Sequence, residues 1–170
     1  MRKRPVLNYH LMAWPALAVV VLDQVTKLAV VRSLRLYETV PVIDGFFNLV
    51  HIRNRGMAFG LMNRPDFEFA FWFLVAATLC AIMLILFWFF RLEDDDRLMT
   101  AGLSLILGGA AGNLIDRIRL HEVIDFLDFY LGSYHWHAFN VADSAITVGT
   151  FGVAAILIFQ MKNDVKKSNR

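Results

Sequence analysis

The stretch Phe69-Ala70-Phe71-Trp72-Phe73-Leu74-Val75-Ala76-Ala77-Thr78-Leu79-Cys80-Ala81-Ile82-Met83-Leu84-Ile85-Leu86-Phe87-Trp88-Phe89-Phe90 decides the fold. No charged side chain interrupts it. A helix rises about 1.5 Å per residue, so a run of about 20 apolar residues crosses the hydrocarbon core of a bilayer. Working outward, Leu98 to Ile115 and Ser144 to Met161 are also uncharged; they are shorter, and flanking residues extend both. A fourth stretch, Leu11 to about Val31, is interrupted by Asp23, Gln24 and Lys27. It still reads as a span, because Asp23 and Lys27 are four apart, share a helix face and can pair. The expectation is a mainly α membrane protein with four transmembrane helices at about 11–31, 67–91, 98–117 and 138–161. Outer loops fall at about 32–66 and 118–137, and the whole of 1–170 forms one membrane-embedded domain.

Composition agrees with that reading. The 170 residues are 58% hydrophobic, with 15 Phe and 4 Trp, more apolar than a soluble surface of this size tolerates. A net charge of +2, with basic residues clustered at the chain ends, gives no reason to expect nucleic acid. Cys80 is the one cysteine, so no internal disulfide and no Cys/His zinc pattern is possible. Met1-Arg2-Lys3-Arg4 before an apolar run resembles a secretory signal, and Ala16-Leu17-Ala18 mimics its cleavage site. Ala18 lies inside the apolar run, however, so an uncleaved anchor is expected.

Basic residues in the two tails (Arg2, Lys3, Arg4; Lys162, Lys166, Lys167, Arg170) place both termini in the cytoplasm. Arg32, Arg35, Arg53, Arg55 and Arg64 in the first outer loop pull the other way, but the first span usually dominates. Within that loop, Thr39 to Ile43 and Phe46 to Ile52 are β-prone around an Asp44-Gly45 turn, an apolar hairpin suited to the membrane surface. Tyr130, Tyr134 and Trp136 suit the same interface in the second outer loop. Between spans two and three, Glu93-Asp94-Asp95-Asp96 reads as a solvated cytoplasmic turn.

Ionisable groups at membrane depth are costly and mark function by default. Here they gather at one end. Asn113, Asp116 and Arg117 close span three, Asp125 follows in the loop, and Asn140 and Asp143 open span four. Asp125 and Asp143 could therefore face each other at the outer interface. Two carboxylates sharing one proton are what aspartyl protease chemistry needs: one takes a proton from water while its protonated partner polarises the scissile carbonyl. Spacing leaves alternatives open. The acids could simply pair with arginines, and Asp128 rivals Asp125. Asp116, next to Arg117, reads as structural. His121-Glu122 with His135-Trp136-His137 could be a metal set, although interface histidines are the plainer reading. Ser104, Ser133 and Ser144 lack a nucleophile setting, with or without Lys27. Gly108 with Gly112, and Ala145 with Gly149, read as close helix contacts.

Five blocks then carry a resemblance: Leu22-Asp23-Gln24-Val25-Thr26-Lys27; Asn54-Arg55-Gly56-Met57-Ala58-Phe59-Gly60; Gly112-Asn113-Leu114-Ile115-Asp116-Arg117; Val123-Ile124-Asp125-Phe126; and Phe139 to Gly149. In this order, across roughly 14 to 160, the sequence resembles the lipoprotein signal peptidase (signal peptidase II) family. The resemblance implies four transmembrane helices with both termini cytoplasmic and a small β-rich periplasmic cradle. It implies Asp125 and Asp143 as the catalytic pair of an inner-membrane aspartyl endopeptidase acting near the periplasmic face. The implied substrate is a diacylglyceryl-modified prolipoprotein, cut just before its lipidated cysteine. Asn54, Gly56, Asn113, Arg117 and Asn140 match the polar set that orients substrate and acids; Asp23 and Lys27 match as well, in a structural or supporting role. Met57 departs from the small residue common in the family. A monomer in membrane lipid is expected, with no metal, cofactor or nucleic acid. Two rivals remain. A presenilin-type protease should carry a Gly-x-Gly-Asp block, which this sequence lacks. A small proton or ion carrier would relay through Asp23, Lys27, Asp116 and Arg117.

Overall fold

Four helices long and apolar enough to cross a membrane form the body of the molecule, a computed structural model that describes residues 9–56, 67–92 and 96–168. Helix α1 spans Tyr9–Ser33, α2 Phe67–Phe89, α3 Arg97–Leu120 and α4 Val141–Ser168. Helix α3 is the central one and packs against α1, α2 and α4. Of its apolar window 56% is buried, against 17–22% in the other three, whose outward Leu, Val, Phe and Trp side chains are left for lipid. The close approach has a sequence cause. A Cβ added at Gly108 would lie 2.6 Å from Ala16 O, and one at Gly112 would lie 2.7 Å from Asp23 Oδ2. At Gly109 it would collide with the Ala142 carbonyl, and at Gly149 it would lie 2.6 Å from Gly102 O. Gly108 and Gly112 thus seat α3 on α1, while Gly109 and Gly149 seat it on α4.

At the ends of α1 and α3 sits a four-stranded antiparallel sheet, ordered β1 (Thr39–Ile43), β2 (Phe47–Asn54), β3 (Val123–Leu131), β4 (Tyr134–His135). The hairpin turn is Asp44-Gly45-Phe46, with Gly45 at φ +78° and its N–H donating to Tyr130 Oη at 2.9 Å. Strand β3 is the piece that spacing does not reveal. Val123 to Phe126 are all buried, so the period-two alternation of a half-buried strand is missing. It joins the hairpin to the second outer loop in one sheet. Stacked rings tie it further: Phe47 on Phe129 at 4.7 Å and Phe129 on Phe139 at 5.8 Å between centroids.

Helix α4 begins at Val141, later than the expected 138. Phe139 is occupied instead, exchanging backbone hydrogen bonds with Leu127 as a short extension of the sheet. Met57 and the rest of its block to Gly60, Arg64, the acidic turn at 93–95 and the first four residues with Arg170 lie outside the described residues.

Candidate active site

Asp125 is buried on β3, opposite Ile52 of β2. The β2–β3 register slips between Leu49 and Ile52, so two residues of β2, Val50 and His51, lie opposite one of β3, Phe126. Such a bulge re-aims the strand beyond it, and Asn54 Nδ2 now donates to Asp125 Oδ2 at 2.9 Å. Gly56 fixes which end of that amide points inward. Its N–H donates to Asn54 Oδ1 at 2.9 Å, leaving the Nδ2 end for Asp125. Gly56 lies at φ +92°, a conformation glycine adopts without strain.

Asp143 sits in the first turn of α4, and Asn140 caps that turn. Asp143 N donates to Asn140 Oδ1 at 2.9 Å, and Asn140 N donates back to Asp143 Oδ2 at 3.2 Å, a reciprocal capping box. The other end of the Asn140 amide donates to Asp125 Oδ1 at 2.8 Å. One wholly buried residue therefore meets both carboxylates, Asp125 through its side-chain amide and Asp143 through its backbone N–H. Asn113 on α3 adds a donor, Nδ2 to Asp143 Oδ1 at 2.8 Å. Arg117 is half-buried one turn on, donates to Asn113 O at 3.4 Å, and acts through space on Asp143, Asp125 and Asp116.

Burial dominates the electrostatics of Asp125 and pushes its carboxyl up to about 7. The bond from Asn54 opposes the rise, the charge of Asp143 adds to it, and Asn140 and Lys27 oppose it. Such a carboxyl keeps a proton close to neutral pH and can hand it over. A cleft of about 700 Å³ opens beside it, with Ile52, Asn54, Glu122 and His137 among its walls.

Asp128 does not share this site. It accepts from Asn48 Nδ2 at 2.9 Å and lies 3.0 Å from His135 Nδ1, so spacing alone could not separate it from Asp125 but its partners do. The histidine set is dispersed. His121 is the left-handed C-cap of α3 with its ring on Phe71, Glu122 pairs with Arg55 at 2.6 Å, and His135 stacks on Tyr130. Ser104 Oγ donates to Thr100 O at 2.7 Å and Ser144 Oγ to Asn140 O at 2.9 Å, within their own helices.

Beneath the acids lies a buried ion cluster. Lys27 Nζ is 2.8 Å from both Asp23 Oδ2 and Asp116 Oδ2 and donates to Asn113 Oδ1 at 3.0 Å. Gln24, absent from the expected site set, donates to Asp116 Oδ1 at 2.9 Å. Its position beside Asp23 within a span was the available signal.

A family model described as Signal peptidase (SPase) II matches residues 15–160. A lipoprotein signal peptidase of Geobacter metallireducens is 45% identical over 163 residues, covering 96% of this chain and 97% of the relative. Another, of Desulforapulum autotrophicum, is 50% identical over 149 residues, covering 86% and 91%. Among solved structures, a bacterial membrane enzyme determined by the in meso method at 2.3 Å resolution superposes with a TM-score of 0.81 at 29% identity, covering 96% of this chain and 95% of that one.

Proposed function

The chain belongs to the signal peptidase II family, the lipoprotein signal peptidases, and on that premise we propose that it removes the signal peptide from diacylglyceryl-modified prolipoproteins, with Asp125 and Asp143 as its catalytic pair. It is an aspartic peptidase and a multi-pass protein of the inner membrane. Both termini lie in the cytoplasm and the site near the periplasmic face. In the reaction, Asp125 enters protonated, as its raised carboxyl allows at neutral pH. Asp143 takes a proton from a water molecule, whose oxygen attacks the carbonyl carbon of the residue before the lipidated cysteine. Asp125 gives its proton to the carbonyl oxygen. The tetrahedral diol then collapses: the C–N bond breaks, the leaving amine takes the proton held by Asp143, and a diol proton returns to Asp125. Each proton is accounted for without a covalent intermediate.

The observation that carries this reading is Asn140, whose amide holds Asp125 at one end and caps Asp143 at the other. The lipid has a separate part. Two acyl chains fix the depth of the cysteine, and proximity of that kind lowers the barrier by positioning the carbonyl at the acids. Much of the acyl burial, at about 0.8 kcal/mol per methylene, already exists when the precursor sits in the bilayer, so it does not all count as affinity for the enzyme.

The test uses purified protein with lipidated and unlipidated precursors. Asp125→Asn and Asp143→Asn should each lose nearly all cleavage while inserting normally, and the unlipidated precursor should be cut poorly. Turnover near wild type in either variant rejects the dyad. Equal cleavage of both precursors rejects lipid positioning and favours a general intramembrane protease.

A further inference from the structure

The cluster Asp23–Lys27–Asp116 lies away from the cleft, yet each member reaches a neighbour of a catalytic acid. Asp23 Oδ1 accepts from the Ala142 N–H at 2.9 Å, one residue before Asp143. Asp116 Oδ2 accepts from the Ile124 N–H at 3.2 Å, one residue before Asp125. Lys27 stands between the two carboxylates and also bonds Asn113, whose Nδ2 reaches Asp143.

The chemistry of these groups makes the last contact directional. An ammonium only donates, so the Asn113 end that meets Lys27 must be its oxygen. The nitrogen end is then forced toward Asp143. Asn140 Nδ2 also approaches Asn113 Oδ1, at 3.2 Å, but it divides two hydrogens among Asn113, Ile124 O and Asp125. Lys27 is thus the steadier of the two constraints. Without it, Asn113 could turn its oxygen toward Asp143, and a donor to the carboxylate would become a repelling lone pair. We propose that Lys27 is a positioning residue of the peptidase: held between Asp23 and Asp116, it fixes the orientation of the Asn113 amide and so keeps a donor on Asp143. The inference rests on the dyad assigned above.

A double-mutant cycle tests it. Lys27→Met, Asn113→Ala and the double variant are compared in detergent for kcat and KM on a lipidated precursor, and for pH profile. Losing one hydrogen bond to a charged group should lower kcat roughly 10- to 100-fold in each single variant, with KM little changed. In the double variant, loss of Lys27 should cost almost nothing further, because its route to Asp143 is already gone. The acid limb of the profile should move to higher pH in both single variants. The charged groups around Asp143 that could also move it are Arg117 and Asp116 on α3, Asp125 on β3, and Asp23 and Lys27 on α1. Multiplicative losses in the double variant, with unshifted limbs, overturn the proposal. A failed dyad would show differently, as turnover in Asp143→Asn. Should Lys27→Met not insert, Asn113→Asp decides: it keeps an oxygen for Lys27 but presents another to Asp143. Folded protein with turnover lost supports the proposal; folded protein with turnover retained refutes it.

Discussion

Replacing Asp125 by Asn should change the pH dependence of stability as well as abolish cleavage. The carboxyl titrates at about 7 in the folded protein against 3.8 for an unperturbed Asp. Its folded pKa is raised, so the native state holds a proton that the unfolded chain has released. The stabilisation this supplies is complete below the unfolded pKa and is lost as pH rises through the folded one. Between pH 5 and pH 8 linkage gives a loss of roughly 2–3 kcal/mol as an upper bound, about two pH units' worth of proton binding. Asn cannot titrate. It accepts from one of Asn54 and Asn140 but turns its own amide toward the other, a penalty of about 1–3 kcal/mol that does not vary with pH. At pH 5 the variant should therefore be the less stable protein, and by pH 8 the gap should close or reverse. Unfolding free energies of both proteins in mixed detergent, followed by tryptophan fluorescence from pH 5 to pH 8, measure the convergence. Parallel curves would show that Asp125 is not the group holding the proton, and the assignment of the acid would fall with them. Turnover of the wild type on a lipidated precursor should also decline above pH 7, as the proton needed by the carbonyl is lost.

Two further outcomes are expected. Asn140→Ser keeps an N-cap of similar quality, so α4 should remain folded to within about 1 kcal/mol of its cap contribution, but the donor to Asp125 is gone and kcat should fall about 10- to 100-fold; wild-type turnover in this variant would make Asn140 a cap alone. A reporter fused at Asp44, in the turn between β1 and β2, should be periplasmic; a cytoplasmic signal would mean that the loop arginines, not the tails, set orientation.

The helices were legible because lipid imposes a simple demand, a long run without charge, and Phe69 to Phe90 meets it without interruption. The hairpin was legible because Asp44-Gly45 is a local turn signal. Strand β3 was not, since a strand packed on both faces loses its alternation, and the two adjacent acids on it could not be ranked by spacing. What separates Asp125 from Asp128 is tertiary: one meets Asn54 and Asn140, the other Asn48 and His135. The β2 register slip that brings Asn54 across to Asp125 leaves no mark in composition. Resemblance supplied Asn140 and Asn113 as members of the polar set, while the direction each amide faces comes only from counting donors and acceptors around it.

The ion pair inside α1 has a bearing on how the protein is made. Lys27 lies one helical turn from Asp23 and 2.8 Å from its carboxylate, so the first helix carries its own counter-charge. It can enter lipid with no net charge from this pair before the helices that follow it have been synthesised. The third helix then brings Asp116 to the same ammonium. Only the fourth delivers the Ala142 N–H that Asp23 awaits, and with it Asp143. On the proposed dyad, capacity to cut arrives only when α4 joins the helices before it, and a nascent chain holding α1 to α3 alone has no blade.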